Sequence, residues 1–156
     1  MAALKATINI PAIPLTAGTA KTVVQVKAPA NQRIKILGYA LTFNGSTSQL
    51  PVQIRFIRQT SAGTSLVSAT PAPLEPELTE TVQSTAQTGS LTTQTEPTNA
   101  SVVRGTRYVP AYSGVEYLET PGNEYIVGGG GYYGIECTSP AGNGAVSISG
   151  ELLIEE

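Results

Sequence analysis

Short segments that alternate between apolar and polar residues limit the fold of this chain more than any other feature of its sequence. Leu4–Ile10 places an apolar side chain at every second position, and Ala20–Ala28 and 51–59 repeat the pattern. Successive side chains of a β-strand point to opposite faces, so each segment predicts a strand with one buried face. No segment has the 3.6-residue spacing of an amphipathic helix. The sequence therefore predicts an all-β protein with no significant helix.

Turn signals separate these segments at intervals of about 8–12 residues, a spacing typical of sandwiches. Asn44-Gly45 and the "AGNG" of 141–144 are two of them. Within "RIKILGYALTF" the apolar face changes beside Gly38, which indicates a β-bulge or a crossing between sheets. A chain of 156 residues is long enough for one domain with a sizeable core. We expect a single β-sandwich or jelly-roll-like domain over residues 16–156.

Two segments are expected to differ from regular strands. Residues 1–15 are predicted to form an extended N-terminal arm or edge strand, because Pro11 and Pro14 prevent a helix. Leu4–Ile10 could pair within its own sheet or lie across a neighbour, and "PAIPL" is expected to dock elsewhere, on a partner. The Ser/Thr/Gln-rich tract at 84–100 has almost no large apolar residue and is predicted to be a long, mobile loop.

The stretch "IVGGGGYYGIE" contains the spacing G-x-G-x-x-G of a dinucleotide-binding fingerprint at Gly129, Gly131 and Gly134. That fingerprint requires a helix directly after the glycines, and here a second strand signal follows. No lysine or arginine occurs after Arg107 to meet a phosphate. We interpret the glycines as a hairpin-like loop between strands at Tyr125 and Tyr132, with positive φ angles that glycine adopts freely.

Missing residue types exclude several chemistries. The chain has no histidine, no aspartate and a single cysteine, Cys137, which is predicted to lie in the core. Ser-His-Asp catalysis, histidine or thiolate zinc sites and EF-hands are therefore excluded. A glutamate pair from Glu116, Glu119, Glu124 and Glu136 is the remaining hydrolytic possibility, although solvated strand-edge charges explain them more simply. We predict no enzyme, no catalytic residue, no metal site and no cofactor.

Charge is divided unevenly along the chain. All seven charged residues before residue 75 are basic, whereas eleven glutamates and only two arginines follow. Basic strands could pair with acidic strands inside one sandwich, or a basic arm could meet an acidic surface on another subunit. The basic residues are too scattered for a nucleic-acid partner. No apolar run reaches the length of a membrane span, and the start lacks the apolar run of a signal peptide.

Six of the seven tyrosines lie between residues 108 and 133. Tyrosine is enriched at protein interfaces, so the cluster indicates either a capped core or an adhesive face. The aliphatic side chains of residues 1–15 also need a surface that covers them, either in their own subunit or on a partner. The predicted interface residues are Leu4, Lys5, Ile8, Ile10, Ile13, Leu15, Tyr108, Tyr112 and Tyr117.

The middle and end of the chain resemble a known class of protein. "FNGSTSQLPVQIRFIRQTSAGT", "TEPTNA", "GVEYLETPGNEYIVGGGGYYGIECTSPAG" and the closing "EE" are similar to small head proteins of tailed bacteriophages, the capsid decoration or cementing proteins. The resemblance covers Ile34 to Glu156. Similar chains often carry an aromatic residue just before the last glutamates, where this chain has Ile154.

The resemblance implies a structural virion protein that is made in the host cytoplasm and then binds the outer surface of the capsid. Such proteins bind the major capsid protein late, at symmetry axes of the shell, often as homotrimers, and stiffen the expanded capsid. An extended arm would suit that role. The alternative is a receptor- or carbohydrate-binding β-sandwich of a phage fibre or a cell surface.

Overall fold

The alternating segments form strands in a computed structural model that describes residues 4–75, 77 and 80–156. Residues 1–3 of the predicted arm lie outside the described residues. Twelve strands and no helix occur in the described ranges, so the prediction of an all-β fold is confirmed. The strands are β1 Lys5–Leu15, β2 Ala20–Lys27, β3 Ile34–Asn44, β4 Val52–Gln59, β5 Val67–Ala69, β6 Ala72–Pro73, β7 Thr85–Thr88, β8 Asn99–Val109, β9 Gly114–Leu118, β10 Tyr125–Val127, β11 Tyr132–Thr138 and β12 Val146–Glu155.

The strands form two antiparallel six-stranded sheets that pack face to face as a β-sandwich. In sheet A, β9 and β10 both pair with one edge of β3, and β12, β1 and β6 follow. In sheet B the order is β5, β7, β2, β11, β4, β8. The chain changes sheet eight times, after β1, β2, β3, β5, β6, β8, β10 and β11. The turn signals at Asn44-Gly45 and 141–144 therefore join the two sheets and do not close hairpins.

The core lies between the sheets and consists of the apolar residues that the alternation predicts. Ile8, Ile10 and Ile13 from sheet A meet Phe56 and Ile135 from sheet B, and all five are nearly inaccessible to solvent. Each such side chain contributes roughly 1.5–3 kcal/mol by leaving water. Burial of two apolar faces against each other explains why the chain forms two sheets.

Strand β1 continues through both prolines, which corrects the expectation for "PAIPL". It pairs with β12 from Lys5 to Leu15, with an irregularity between Ile10 and Ile13 that accommodates the first proline. Ile13 is 0% and Leu15 5% exposed, and both belong to the core of their own chain. Their side chains are consequently not available to dock on another subunit, and residues 5–15 form part of the sandwich.

The predicted bulge beside Gly38 is confirmed. Leu153 of β12 pairs with Gly38, and the next residue, Ile154, pairs with Ile36, so Leu37 is the extra residue. A Cβ atom at Gly38 would overlap the backbone oxygen of Tyr117 in the neighbouring strand β9. The glycine thus lets β9 approach β3 closely at the point where the apolar face changes.

The tract 84–100 is not the one continuous loop that we expect from its composition, because a strand interrupts it; residues 89–98 remain a loop, and the mobility of this loop stays a prediction. Residues 85–88 form β7, which lies between β2 and β5. Beyond it, the Glu96 carboxylate accepts a hydrogen bond from the Thr22 backbone N–H at 2.8 Å, and the Gln94 amide donates to the Thr22 carbonyl at 3.0 Å. The prediction relied on the lack of apolar residues in the tract. Hydrogen bonds from polar side chains attach the tract to the sandwich instead.

A network of polar side chains, three of them buried, lies on the outer face of sheet B. The Gln25 amide donates to Gln59 Oε1 at 2.7 Å, the Gln59 amide donates to Asn99 Oδ1 at 3.0 Å, and the Asn99 amide donates to Glu136 Oε2 at 3.0 Å. A Cβ atom at Gly134 would overlap the Gln59 side chain. The last glycine of the G-x-G-x-x-G spacing therefore makes room for an amide of this network.

The glycine loop at 128–131 joins β10 of sheet A to β11 of sheet B, so the expected hairpin between these strands is wrong. Of its four glycines, only Gly130 has a positive φ, 73°. Its N–H donates to the carbonyls of Ala28 and Pro29, which ties the loop to the segment after β2. Gly129 lies so close to Ala30 that a Cβ atom would come within 2.7 Å of its backbone oxygen.

Opposite charges meet within the sandwich at two cross-strand positions. Lys35 of β3 pairs in register with Glu155 of β12, and their charged atoms lie 2.6 Å apart. Arg55 of β4 pairs in register with Glu136 of β11 and forms a second ion pair. The interpretation that basic strands pair with acidic strands in one sandwich is confirmed at these positions.

Candidate functional site

Three edge strands border the same side of the sandwich: β8 of sheet B and β9 and β10 of sheet A. The Arg107 guanidinium carbon of β8 lies 4.4 Å from the ring centroid of Tyr117 in β9, so the two edges face each other. Exposed large hydrophobic residues concentrate on this side, which we call the tyrosine side. Five of the nine in the described part of the chain belong to it, namely Val102, Tyr108, Tyr112, Leu118 and Ile126.

Strand β8 is a long edge strand with a bulge at its centre. Val102 pairs with Ile57 and Thr106 pairs with Arg55, so residues 103–105 lie opposite a single residue of β4. Gly105 has a φ of 79°, a conformation that costs glycine little and other residues more. Arg104, inside this bulge, reaches across to the residue that follows β9, and its Nε lies 3.3 Å from the Glu119 carboxylate.

The predicted interface residues fall into two groups. Tyr108 and Tyr112 are exposed on the tyrosine side, and Tyr117 is half-buried there between Arg107 and Tyr39. Lys5 is exposed on β1, far along sheet A from β9. The remaining predicted residues are buried and do not join the tyrosines: Leu4, Ile8, Ile10, Ile13 and Leu15.

A cavity of about 170 Å³ lies between the sheets beneath the tyrosine side, and we call it the tyrosine pocket. Buried aromatic rings form its floor, where Tyr39 and Phe56 pack with centroids 4.8 Å apart. Charged and half-exposed side chains form its rim. Its lining comprises Ile36, Gly38, Tyr39, Phe56, Arg104, Arg107, Tyr117, Glu119, Tyr125 and Tyr133.

Positive charge exceeds negative charge at the rim. Arg104 and Arg107 contribute two cations and Glu119 one anion. Glu119 forms an ion pair with Arg104, whereas Arg107 takes part in none of the three ion pairs of the described residues. The Arg107 guanidinium is instead surrounded by aromatic rings, at 4.4 Å from Tyr117 and 5.8 Å from Tyr39. One positive charge of the pocket is thus uncompensated.

The floor of the pocket holds a hydroxyl group without a partner. Tyr39 is only 6% exposed, and its hydroxyl makes no hydrogen bond to any described residue. Burial raises the pKa of Tyr39, an effect that the nearby Arg107 charge partly opposes. Burial also raises the pKa of Tyr133 beside it. Both hydroxyls therefore stay protonated and can act as hydrogen-bond donors at neutral pH.

The four candidate glutamates occupy different surroundings. Glu119 lines the tyrosine pocket beside Arg104, and Glu136 belongs to the outer-face network with Arg55. Glu116 is exposed on β9. Hydrogen bonds from its own backbone N–H and from that of Gly122 lower the pKa of the half-buried Glu124.

Cys137 is a free cysteine buried in the core, as predicted. Burial raises the pKa of its thiol, so it remains protonated and unreactive at neutral pH. Within the described residues, no group of three or more histidine, cysteine, aspartate or glutamate side chains could hold a metal ion. The same part of the chain contains no helix that is long and apolar enough to cross a membrane.

Sequence reasoning missed Arg104 and Arg107 as site residues. Three residues apart, they would point to opposite faces of a regular strand. The bulge at Gly105 changes that spacing, and both arginines line the same pocket. The available signal was a glycine between two arginines, "RGTR", directly before the tyrosine cluster.

Comparison with protein-family models, with curated proteins and with solved structures finds no match to this chain. The tyrosine side and the tyrosine pocket are the two features of the described residues that indicate binding. The first offers exposed apolar side chains on edge strands of both sheets. The second offers an uncompensated cation above buried tyrosines.

Proposed function

We propose that this protein is a structural virion protein that binds the outside of a bacteriophage capsid as an oligomer and stabilises the expanded shell. Its partners are the major capsid protein and further copies of itself, most simply in a homotrimer. This role needs no catalytic group, and we propose that the protein is not an enzyme. The observation that carries the proposal is the tyrosine side, where exposed apolar side chains gather on the edge strands of the β-sandwich.

The tyrosine side has the composition of a binding surface. Tyr108, Tyr112, Leu118 and Ile126 are exposed, and each would contribute up to roughly 1.5–3 kcal/mol on burial. Contiguous exposed apolar residues mark interaction sites on soluble proteins, and tyrosine is enriched among interface residues. The edge strand β8 also presents backbone groups along its free side. We place the contact with the major capsid protein here.

Sedimentation with expanded, undecorated capsids of the phage that encodes this chain tests the proposal. The wild-type protein is expected to co-sediment. Leu118→Ser should weaken binding by about tenfold or more, because it removes roughly 1.5–3 kcal/mol of apolar burial. Leu91→Ser is the matched control, since both leucines are 63% exposed and Leu91 lies on a different surface, beside Pro14 and Lys21. Failure of the wild type to bind, or equal binding by both variants, would contradict the proposal.

Light scattering tests the oligomer. We expect a mass three times the 16.2 kDa of one chain. Closed three-fold symmetry would repeat one contact without open-ended polymerisation. A mass of one chain at high concentration would show that no trimer exists free in solution and would confine assembly to the shell.

A receptor- or carbohydrate-binding module of a phage fibre or cell surface is the second candidate, and the tyrosine pocket favours it. Sugar sites combine aromatic faces with a few polar groups, and Tyr117, Tyr125 and Arg107 supply both kinds. A glycan-binding screen separates the two candidates. The carbohydrate-binding module is favoured if the protein binds a sugar, if Tyr125→Ala abolishes that binding, and if the protein does not bind capsids.

A further inference from the structure

Two buried hydrogen-bond donors at the tyrosine pocket have no acceptor among the described residues, the Tyr39 hydroxyl and Arg104 Nε. Another nitrogen of Arg104 donates to the Asn123 carbonyl. Arg104 Nε is 3.3 Å from the Glu119 carboxylate but makes no hydrogen bond with it. Arg107 stacks on Tyr117 and forms no ion pair in the described part of the chain. A buried donor without an acceptor costs free energy, so a ligand that accepts hydrogen bonds from the Tyr39 hydroxyl would be stabilised in this pocket.

The charges at the rim favour a monovalent anion as the group that accepts these hydrogen bonds. Glu119 compensates Arg104, which leaves the single positive charge of Arg107. The same Glu119 carboxylate would repel a divalent anion such as phosphate or sulfate. A carboxylate carries one charge, and its two oxygens match the fork of a guanidinium.

Size and wall chemistry restrict the ligand further. The cavity volume of about 170 Å³ is several times larger than the volume of about 30 Å³ that one water molecule occupies in the liquid. It therefore accepts a carboxylate with a few carbon atoms, comparable to a short acid or an acidic side chain. Rings of Tyr39, Phe56, Tyr125 and Tyr133 provide apolar walls for those carbons.

We propose that the tyrosine pocket binds a carboxylate group, which accepts hydrogen bonds from the Tyr39 hydroxyl and from the guanidinium groups of Arg107 and Arg104. The carboxylate belongs either to a small free acid or to an Asp or Glu side chain of a partner protein. The pocket would bind such a group whether or not the protein decorates a capsid, so the two proposals can fail separately.

Nuclear magnetic resonance of the arginine Nε–Hε groups tests this proposal on the full chain. Sodium acetate is titrated at constant ionic strength set with sodium chloride. Saturable shifts are expected for Arg104 and Arg107 but not for the exposed Arg58 on β4. Acetamide, the neutral analogue, should bind at least about tenfold more weakly, because the charge of the ligand is then lost. Shifts that do not saturate, or equal binding of acetamide, would overturn the proposal.

Tyr39→Phe distinguishes a ligand-binding role from a structural one. Removing an unpartnered buried hydroxyl should raise the urea midpoint of the free protein while it weakens acetate binding by about tenfold. Arg107→Gln should abolish the saturable shift of Arg104, and Arg58→Gln is the matched control that should leave it unchanged. Unchanged acetate affinity in Tyr39→Phe would overturn the proposal.

Two further ligands distinguish the sources of the carboxylate. A blocked pentapeptide with one central glutamate is compared with propionate in the same titration. Tighter binding of the peptide assigns the site to an acidic side chain of a partner, and tighter binding of propionate assigns it to a small free acid. Failure of both to compete with acetate would contradict a single carboxylate site.

Discussion

Strands β1 and β8 have the same length of eleven residues and opposite roles. β1 pairs with β12 along its whole length and with β6 at two positions, and its aliphatic side chains enter the core. β8 pairs with β4 alone and buries a single residue, Val109. Position in the sheet thus decides whether a strand stabilises the fold or remains available for contacts.

The sequences of the two strands already contain this difference. "KATINIPAIPL" places an alanine or a larger aliphatic residue on one face at regular intervals, interrupted only at the irregularity between Ile10 and Ile13. "NASVVRGTRYV" mixes small, charged and β-branched residues without alternation. A strand without a continuous apolar face cannot be central in a sandwich, because both sheets must contribute to the core. The irregular strand therefore lies at an edge, beside the tyrosines.

The largest effect is expected from a truncation in β1. Ile8→Ala should lower the free energy of unfolding by about 2–5 kcal/mol, since Ile8 is fully buried and the substitution leaves a cavity. Urea denaturation followed by fluorescence or circular dichroism measures it. If the free energy of unfolding falls by less than about 1 kcal/mol, β1 contributes little to the core. The two strands would then not differ in their contribution to stability.

A smaller effect is expected where the chain approaches β8. Glu96 fixes the tract before that strand through bonds from Thr22 and Gln94. Glu96→Ala should cost about 1–3 kcal/mol, because the Thr22 N–H loses its acceptor, and should speed amide exchange at Thr22. Glu116→Ala, at an exposed position of β9, is the control and should change neither. Unchanged exchange at Thr22 would mean that the tract is held by something other than this carboxylate.

The bulge of β8 can be tested through its glycine. Gly105→Ala should cost about 1–2 kcal/mol, because alanine is strained at a φ of 79° although its Cβ would meet no other atom. Gly128→Ala is matched, since its Cβ also meets open space but its φ is not positive, and it should be neutral. Thermal unfolding of both variants measures the difference. Equal stability would show that the bulge relaxes to another conformation without cost.

Period-two patterns were sufficient to predict the sandwich, the apolar face of β1 and the bulge beside Gly38, but not that this face of β1 is buried in its own subunit. Each of these depends on apolar residues whose burial is the largest favourable term in folding. The wrong predictions concern segments held in other ways. The tract 84–100 is attached to the sandwich by hydrogen bonds to Thr22 and neighbouring strands, and such bonds between distant residues leave no periodic signal.

The tyrosine pocket was only half predictable for a related reason. Clustered tyrosines identified the region, but the pocket also needs Arg104 and Arg107 on one face of β8 and a floor from Tyr39 and Phe56. Those positions come together through a bulge and through the packing of two sheets. Neither the distance between sheets nor the register of an irregular edge strand can be deduced from local composition.

The smallest effect on stability is expected at the exposed face of β8. Val102→Thr keeps the shape and strand preference of the side chain and replaces a methyl group by a hydroxyl that water can reach, since Val102 is exposed. The free energy of unfolding should change by less than about 0.5 kcal/mol. Val24→Thr on the central strand β2 is the matched substitution, and there the hydroxyl enters the core and should cost about 1–3 kcal/mol. Urea denaturation of both variants gives the comparison directly. A comparable loss at the two positions would mean that Val102 is covered in solution, and concentration-dependent unfolding of the wild type would then identify another copy of the chain as the cover.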